Sequence, residues 1–389
     1  MTGPSKAVAR SGSVGPLSDA FGPFNGRIWL NAAHQGPLPA AAQHAAQKAL
    51  EMKVNPAQLP DGAFWEVPRS LRSALARLVD ADERQIALTN STSYGINLIA
   101  QGLDLKEGDE VLVVDGDFPA TVLPWLARRG LRVRFLERSR GGVEADILEA
   151  AIGNRTRVFC TSWVFSFFGD AIDLDALGEV CRRHGVMFVV NGSQAVGARA
   201  LSLKRVPMDA LSSCGFKWLC GPYATGFCWL GGQLLERIRY PLPNWLHLQE
   251  AAGLNREMTY ELPDEKAAIA YDVFCTANFL NYMPWAASID HLLSFGIDSI
   301  EAHDQALVEQ LVSGLPEAYQ LISPRSEPER STLVLFSHRY PTRNHEVVGQ
   351  LAGAGIDVAL REDKIRVAPH LYNSRADIDR ALEVLGAAA

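Results

Sequence analysis

Apolar positions along the chain gather into short runs separated by stretches of helical spacing. Residues 187–190, ending at Asn191, form a continuous apolar, β-branched run, which predicts a strand buried on both faces. Similar runs predict strands at 86–90, 110–116, 132–137, 157–164 and 209–213. Apolar positions at helical spacing predict helices over 40–54, 147–152 and 175–184, and a further one that begins at Ser91-Thr92-Ser93 and carries Ile96, Leu98 and Ile99. The stretch 55–68 reads as a loop with an aromatic hinge. Strands alternating with helices predict an α/β fold with a mostly parallel sheet. After Leu230 the alternation stops, and 235–263, with Trp245 and His247, reads as a loop or flap. From about Pro284 two long helices are expected. Strands at 332–337, 356–360 and 364–368 then alternate with helices at 346–352 and from Arg375, a smaller α/β unit.

Composition narrows the function classes. With 389 residues, 48% of them hydrophobic and 21% charged, the chain can bury a large core. The balance of 37 basic and 44 acidic residues, net −7, argues against a nucleic-acid partner held by general electrostatics. No apolar run approaches the roughly 18 residues of a membrane helix. The first twenty residues, rich in Gly, Ser, Ala and Pro, do not read as a secretory signal, and a cytoplasmic protein is expected. Six cysteines without a C-x-x-C pair predict reduced thiols and no metal site. Neither a G-x-G-x-x-G nor a P-loop is present.

Several residues stand where chemistry is possible. Asn191-Gly192 closes a buried strand at its carboxyl end, where open α/β sheets place ligands. Lys217 lies between Phe216 and Trp218. Desolvation there would lower its pKa and make the amine a nucleophile, whereas a lysine reaching to the surface is the ordinary alternative. Ser91-Thr92-Ser93 is either a plain helix cap or, with the free amides of the first turn, an anion site. Asn31 and His34 stand in a turn rich in Gly and Pro, Thr276 in an unremarked loop, and Arg366 on a short strand.

These stretches together resemble the aminotransferase class V family of fold-type I pyridoxal phosphate enzymes, the group of the cysteine desulfurases and the isopenicillin N epimerase-like proteins. VNGSQAVG and SSCGFKWLCGPYATGF carry the likeness most strongly, with IRVAPHLYNSRADID, TNSTSYGIN, DFPATVLPW and IWLNAAHQGPLP beside them. The resemblance spans roughly residues 28–385 and implies a flexible tail (1–24), a large cofactor-binding domain with a seven-stranded sheet (25–265) and a small domain (266–389). It implies that Lys217 carries the cofactor, Thr92 and Ser93 hold its phosphate, Phe118 covers its ring, and Gln194 approaches its phenolic oxygen. It implies further that Arg366 clamps the substrate carboxylate, that Asn31 and His34 lie near the substrate, and that Thr276 reaches the phosphate of a second subunit in a homodimer.

Three positions depart from the family pattern. Asn191 replaces the aspartate that pairs with the pyridine nitrogen, Cys214 a serine near the phosphate, and Phe216 a histidine or tyrosine. Phe167 and Phe168 make the pocket more apolar. The expected function is a reaction on an α-amino acid through an external aldimine, epimerase- or lyase-like because a neutral amide gives the ring nitrogen little reason to keep its proton. An aminotransferase is the alternative, and a non-catalytic cofactor-binding relative a second one. No cysteine follows Cys275, which speaks against a persulfide-type desulfurase.

Overall fold

The computed structural model describes residues 20–139, 142–239, 245, 267–274 and 278–389. Its elements in chain order are β1 (Ile28–Trp29), α1 (Ala40–Val54), α2 (Ala63–Leu78), β2 (Ile86–Thr89), α3 (Thr92–Gly102), β3 (Glu110–Val114), α4 (Pro119–Leu126), β4 (Arg132–Leu136), α5 (Ala145–Ala151), β5 (Thr156–Ser162), α6 (Leu174–His184), β6 (Met187–Asn191), β7 (Ala210–Cys214), β8 (Gly226–Leu230) and α7 (Gly232–Leu235). They continue with α8 (Phe279–Phe295), α9 (Ile297–Gly314), β9 (Tyr319–Leu321), β10 (Val334–His338), α10 (Asn344–Gly353), β11 (Ile356–Asp357), β12 (Ala359–Arg361), β13 (Lys364–Val367) and α11 (Arg375–Ala387).

A seven-stranded sheet runs in the order β2-β8-β7-β6-β5-β3-β4, and β8 alone is antiparallel to its neighbours. Alternate residues of each strand enter opposite layers. Leu112, Val114, Phe159, Phe188, Val190 and Leu211 face one layer, and Val111, Val113, Val158, Cys160, Val189 and Ala210 the other. The central strands are therefore covered on both faces, which is why β3, β5 and β6 are largely apolar, whereas the edge strand β4 exposes Arg132 and Arg134. Phe159 and Phe188 stack at 5.5 Å in the first layer; truncating either to Ala would cost about 3–5 kcal/mol.

Helix ends are set by local chemistry. The Asp173 side chain accepts the Ala176 amide to start α6, and Gly185, at φ 66°, ends it where a Cβ would be strained. Ser374 and Asp377 form a reciprocal capping box on α11.

A second, antiparallel sheet, β12-β13-β10-β9, packs on α9 and α11 through Leu307, Leu311, Ile378 and Leu385. The N-terminal segment crosses to this side: β1 pairs with β11, and the Ala32 amide bonds the Ala368 carbonyl. That crossing brings the 31–36 turn over the carboxyl ends of the large sheet's strands.

The expected α/β fold with a mostly parallel seven-stranded sheet and a smaller sheet unit is what the molecule has. Four local expectations change. Residues 63–68 are helical, not loop: Leu71, Ala74, Leu75 and Leu78 bury one face of α2, which outweighs the lost N–H of Pro68 inside it. Pro284 likewise lies within α8. The stretch 356–360 divides into β11 and β12, which join different sheets. Phe21, expected in the tail, is buried against His291 and Tyr372. Thr276 and most of 235–263 lie outside the described residues.

Candidate active site

The carboxyl ends of β2, β5, β6 and β7 meet the 31–36 turn and the β12–β13 ribbon around a cavity of about 350 Å³. His34, Thr92, Ser93, Phe118, Asn191, Gln194, Cys214, Lys217 and Arg366 all line it. Asn31 does not; it is buried beside the cavity, bridged through its backbone to Ala368, and its Oδ1 has no partner. A larger cavity of about 680 Å³, bordered by Trp163, Leu177 and Arg199, holds none of these groups.

Lys217 follows β7 in a loop fixed from two sides. The Gly36 amide donates to the Phe216 carbonyl, and a Cβ at Gly36 would collide with the Lys217 carbonyl. On the other side, the His370 ring bonds the Trp218 carbonyl at 2.9 Å and Asp304 at 2.7 Å, with His370 and Asp304 fully buried. Burial, then the nearby Arg366 and Arg361 charges, push the lysine amine below its usual pKa; Cys214 pulls the other way. Its Nζ lies 5.6 Å from the centroid of the Phe118 ring, itself stacked on Phe167. It has no hydrogen bond or ion pair with any described residue.

Arg366 enters from β13 and is only 3% exposed. Its Nε has no hydrogen-bond partner, and no carboxylate among the described residues meets its guanidinium. Burial pushes it down to about 9, still charged at neutral pH. Two basic side chains thus face one small space without a carboxylate partner among the described residues. Such a space attracts an anion, because a buried charge is costly until it is paired.

At the far side Ser91 caps α3 by accepting the Tyr94 amide at 3.2 Å, so the first-turn amides and Thr92 border the cavity. Thr92 Oγ1 and Ser193 Oγ stand 2.5 Å apart. Asn191 is 3% exposed; its Oδ1 accepts the Ser193 amide at 3.0 Å, and its Nδ2 donates to Thr121 Oγ1 at 2.9 Å. Gln194 is held by Trp218 Nε1 and donates to the Ala33 carbonyl and, more weakly at 3.3 Å, to Ser166 Oγ. That last bond is the one a ligand could replace. His34 is exposed at the mouth, and partial burial with the Arg361, Arg366 and Lys217 charges lowers its pKa.

Arg361, Ser162, Ser166 and Ser193 also line the cavity and were not singled out from the sequence. Arg361 shares a face of the ribbon with Arg366, because Ala359 pairs with Arg366 and Arg361 with Lys364. Only the two-residue alternation of R-E-D-K-I-R could have signalled this.

Residues 50–379 match the sequence model of the aminotransferase class-V family. The isopenicillin N epimerase of Streptomyces clavuligerus is 29% identical over 390 residues, 92% of this chain and 94% of that protein. A probable cysteine desulfurase of Pyrococcus abyssi is 26% identical over 334 residues, 81% of each. Such relatives remove support for setting desulfuration aside. Among solved structures, a lysine-to-alanine variant of C-DES with glycine covalently linked to its pyridoxal phosphate superposes with a TM-score of 0.86 at 23% identity, over 95% of this chain and 99% of that one. C-DES bound to its product cysteine persulfide, there described as a cystine C-S lyase, gives 0.84 at 23% identity over 93% and 98%. The architecture is therefore fold-type I. The chain belongs to the aminotransferase class-V family, whose cofactor is pyridoxal phosphate.

Proposed function

We propose that the protein is a pyridoxal-phosphate enzyme that acts on an α-amino acid, with epimerase- or lyase-like chemistry at Cα. The observation that carries this reading is the pair Lys217 and Arg366, two basic side chains without a carboxylate partner among the described residues, lining one cavity. Lys217 would hold the cofactor and, when free, would take the Cα proton as the amine and return it as the ammonium; burial lowers its pKa from the usual lysine value. Arg366 receives the α-carboxylate through paired N–H bonds and so fixes Cα on the lysine's side. The first turn of α3, with Thr92 and Ser93, suits the phosphate. Phe118 would offer a flat surface to the ring, Asn191 would serve its nitrogen, Gln194 its phenolic oxygen, and Cys214 would lie toward the phosphate. The bound cofactor supplies an electron sink for charge released at Cα. A homodimer with Thr276 reaching the partner's site belongs to the same proposal.

The choice between reaction types is argued from Asn191. With Oδ1 taken by the Ser193 amide, its side chain offers the ring nitrogen an N–H instead of a carboxylate. Epimerisation and elimination tolerate an unprotonated ring better than full transamination does. The likeness to a cystine C-S lyase and to probable cysteine desulfurases keeps C–S cleavage within the lyase arm. A persulfide on the enzyme's own small-domain loop would need a cysteine beyond Cys275, and the sequence has none.

Borohydride treatment of the yellow protein followed by peptide mapping tests the cofactor's attachment, and a mark anywhere but Lys217 refutes it. Incubating amino acids in deuterated water then separates the chemistries. Both α-deuterated enantiomers report epimerisation, a keto acid with ammonia reports elimination, and one keto acid per equivalent of converted cofactor reports transamination. Neither α-deuteration nor a keto acid across the set would leave a binding protein.

A further inference from the structure

We infer that Asp117 is a positioning residue that acts on Asn191 through Ser162 and Thr121, so that the charge at Asp117 sets how the Asn191 amide meets its ligand. This rests on the reading that Asn191 faces the cofactor's ring nitrogen. Three hydrogen bonds make the relay: Asn191 Nδ2 to Thr121 Oγ1 at 2.9 Å, Thr121 Oγ1 to Ser162 Oγ at 3.3 Å, and Ser162 Oγ to Asp117 Oδ1 at 2.5 Å. All four residues are buried, with Thr121 at 0% exposure. They come from the loop after β3, from α4, and from the ends of β5 and β6, so the strand order alone gathers them.

Donor and acceptor directions are determined at both ends. Asn191 Oδ1 is occupied by the Ser193 amide, which leaves Nδ2 toward Thr121, and Nδ2 can only donate. An ionised Asp117 can only accept, so the single Ser162 hydroxyl hydrogen goes to it. Thr121 must then give its hydrogen to Ser162. Every hydroxyl points toward the carboxylate, and such chains polarise cooperatively in a low-dielectric interior. Thr121 becomes a better acceptor for one Asn191 hydrogen, and the other Nδ2 hydrogen, the one left for a ligand, becomes a poorer donor. Ionised Asp117 thus weakens the hydrogen bond that the Asn191 amide can give the ring nitrogen, without supplying the acceptor that a carboxylate at position 191 would be.

Asp117 also accepts the Ser162 amide at 2.8 Å, the Phe118 amide at 2.6 Å and Thr161 Oγ1 at 3.4 Å. Burial nonetheless pushes its carboxyl up to about 6, so it changes charge near neutrality. Cys160, the titratable neighbour on β5, is driven upward by its own burial and stays protonated. The groups that face Asn191 across the cavity are Lys217, Arg366, Arg361, Cys214 and His34, and the pKa of His34 is itself lowered by partial burial and the neighbouring charges.

The relay is tested in the cofactor-free full chain by following the Asn191 side-chain amide by NMR as pH is varied. The expected result is a shift with a midpoint near 6 in the wild type and in His34→Gln, lost in Asp117→Asn and in Thr121→Val. Thr121→Val cuts the link while leaving all the Asp117 contacts to Ser162, Phe118 and Thr161 in place, so it separates coupling from structure. Persistence of the shift in Thr121→Val, its loss in His34→Gln, or its absence from the wild type overturns the relay. With cofactor fixed on Lys217, the absorption spectrum should titrate at the same midpoint and lose that step in the same two variants. A flat spectrum beside an intact amide titration overturns the coupling to the ring alone, whereas failure of borohydride to mark Lys217 strikes the proposed function and leaves the NMR result standing.

Discussion

Arg72 and Arg366 are both arginines with almost no exposed surface, at 7% and 3%, yet the chain completes only one of them. Arg72, on α2, meets both oxygens of Asp272 at 2.6 and 3.2 Å and also donates to the Ile86 carbonyl. Asp272 in turn accepts the Leu88 amide, so the pair seals the outer edge of β2. Arg366 has no such partner, and its Nε is left bare. A buried guanidinium costs several kcal/mol unless it is paired and hydrogen-bonded. Of these two arginines, the fold accepts that cost only at Arg366, which shares a cavity with Lys217. Equal burial therefore teaches little, while the presence or absence of a counter-ion separates scaffold from site.

The comparison can be broken by substitution. Arg72→Met should be the most damaging to folding, about 3–5 kcal/mol in denaturant unfolding, because it removes the guanidinium that meets both oxygens of the buried Asp272. Arg366→Met should leave the cofactor-free chain as stable or slightly more so, yet weaken amino-acid binding roughly 100-fold, the scale of a charge-assisted bidentate contact. If Arg366→Met unfolds the protein as readily as Arg72→Met does, the two arginines are not different in kind.

A third buried ion sharpens the contrast. Burial alone would lower the pKa of His370, but Asp304, by attraction and a hydrogen bond, raises it to about 10. A raised histidine contributes stability that is fully present below its unfolded value of about 6.5 and is lost as pH rises through about 10. Thermal melts should therefore show a fall in Tm on the alkaline side that is absent in His370→Gln. The smallest effect belongs to Arg361, partly exposed on the ribbon face shared with Arg366. Its change to Gln should weaken amino-acid binding only about 2- to 5-fold, the scale of a solvent-screened charge.

How far these features were legible in the sequence depended on whether their parts lie close together in the chain. Lys217, Arg366 and the start of α3 sit in compact stretches with their flanking residues, and they line the cavity that the family pattern implies. Asn191 was legible as a departure, but its consequence was not. Thr121, Ser162 and Asp117 join it only because β5 lies between β3 and β6, which no local pattern announces. Arg72 and Asp272 stand 200 positions apart and were invisible for the same reason. The start of α2 was missed because Pro60, Gly62 and Pro68 resemble a turn, whereas burial of its apolar face decides for helix.

The central claim is that Arg366 waits for the carboxylate of a substrate whose Cα is presented to Lys217. Spectral titration of cofactor-loaded protein with an amino acid and with the amine that lacks its carboxylate measures this directly. The wild type should prefer the acid by about 100-fold, and Arg366→Met should show almost no preference. An equal preference for the acid in both proteins would contradict the account.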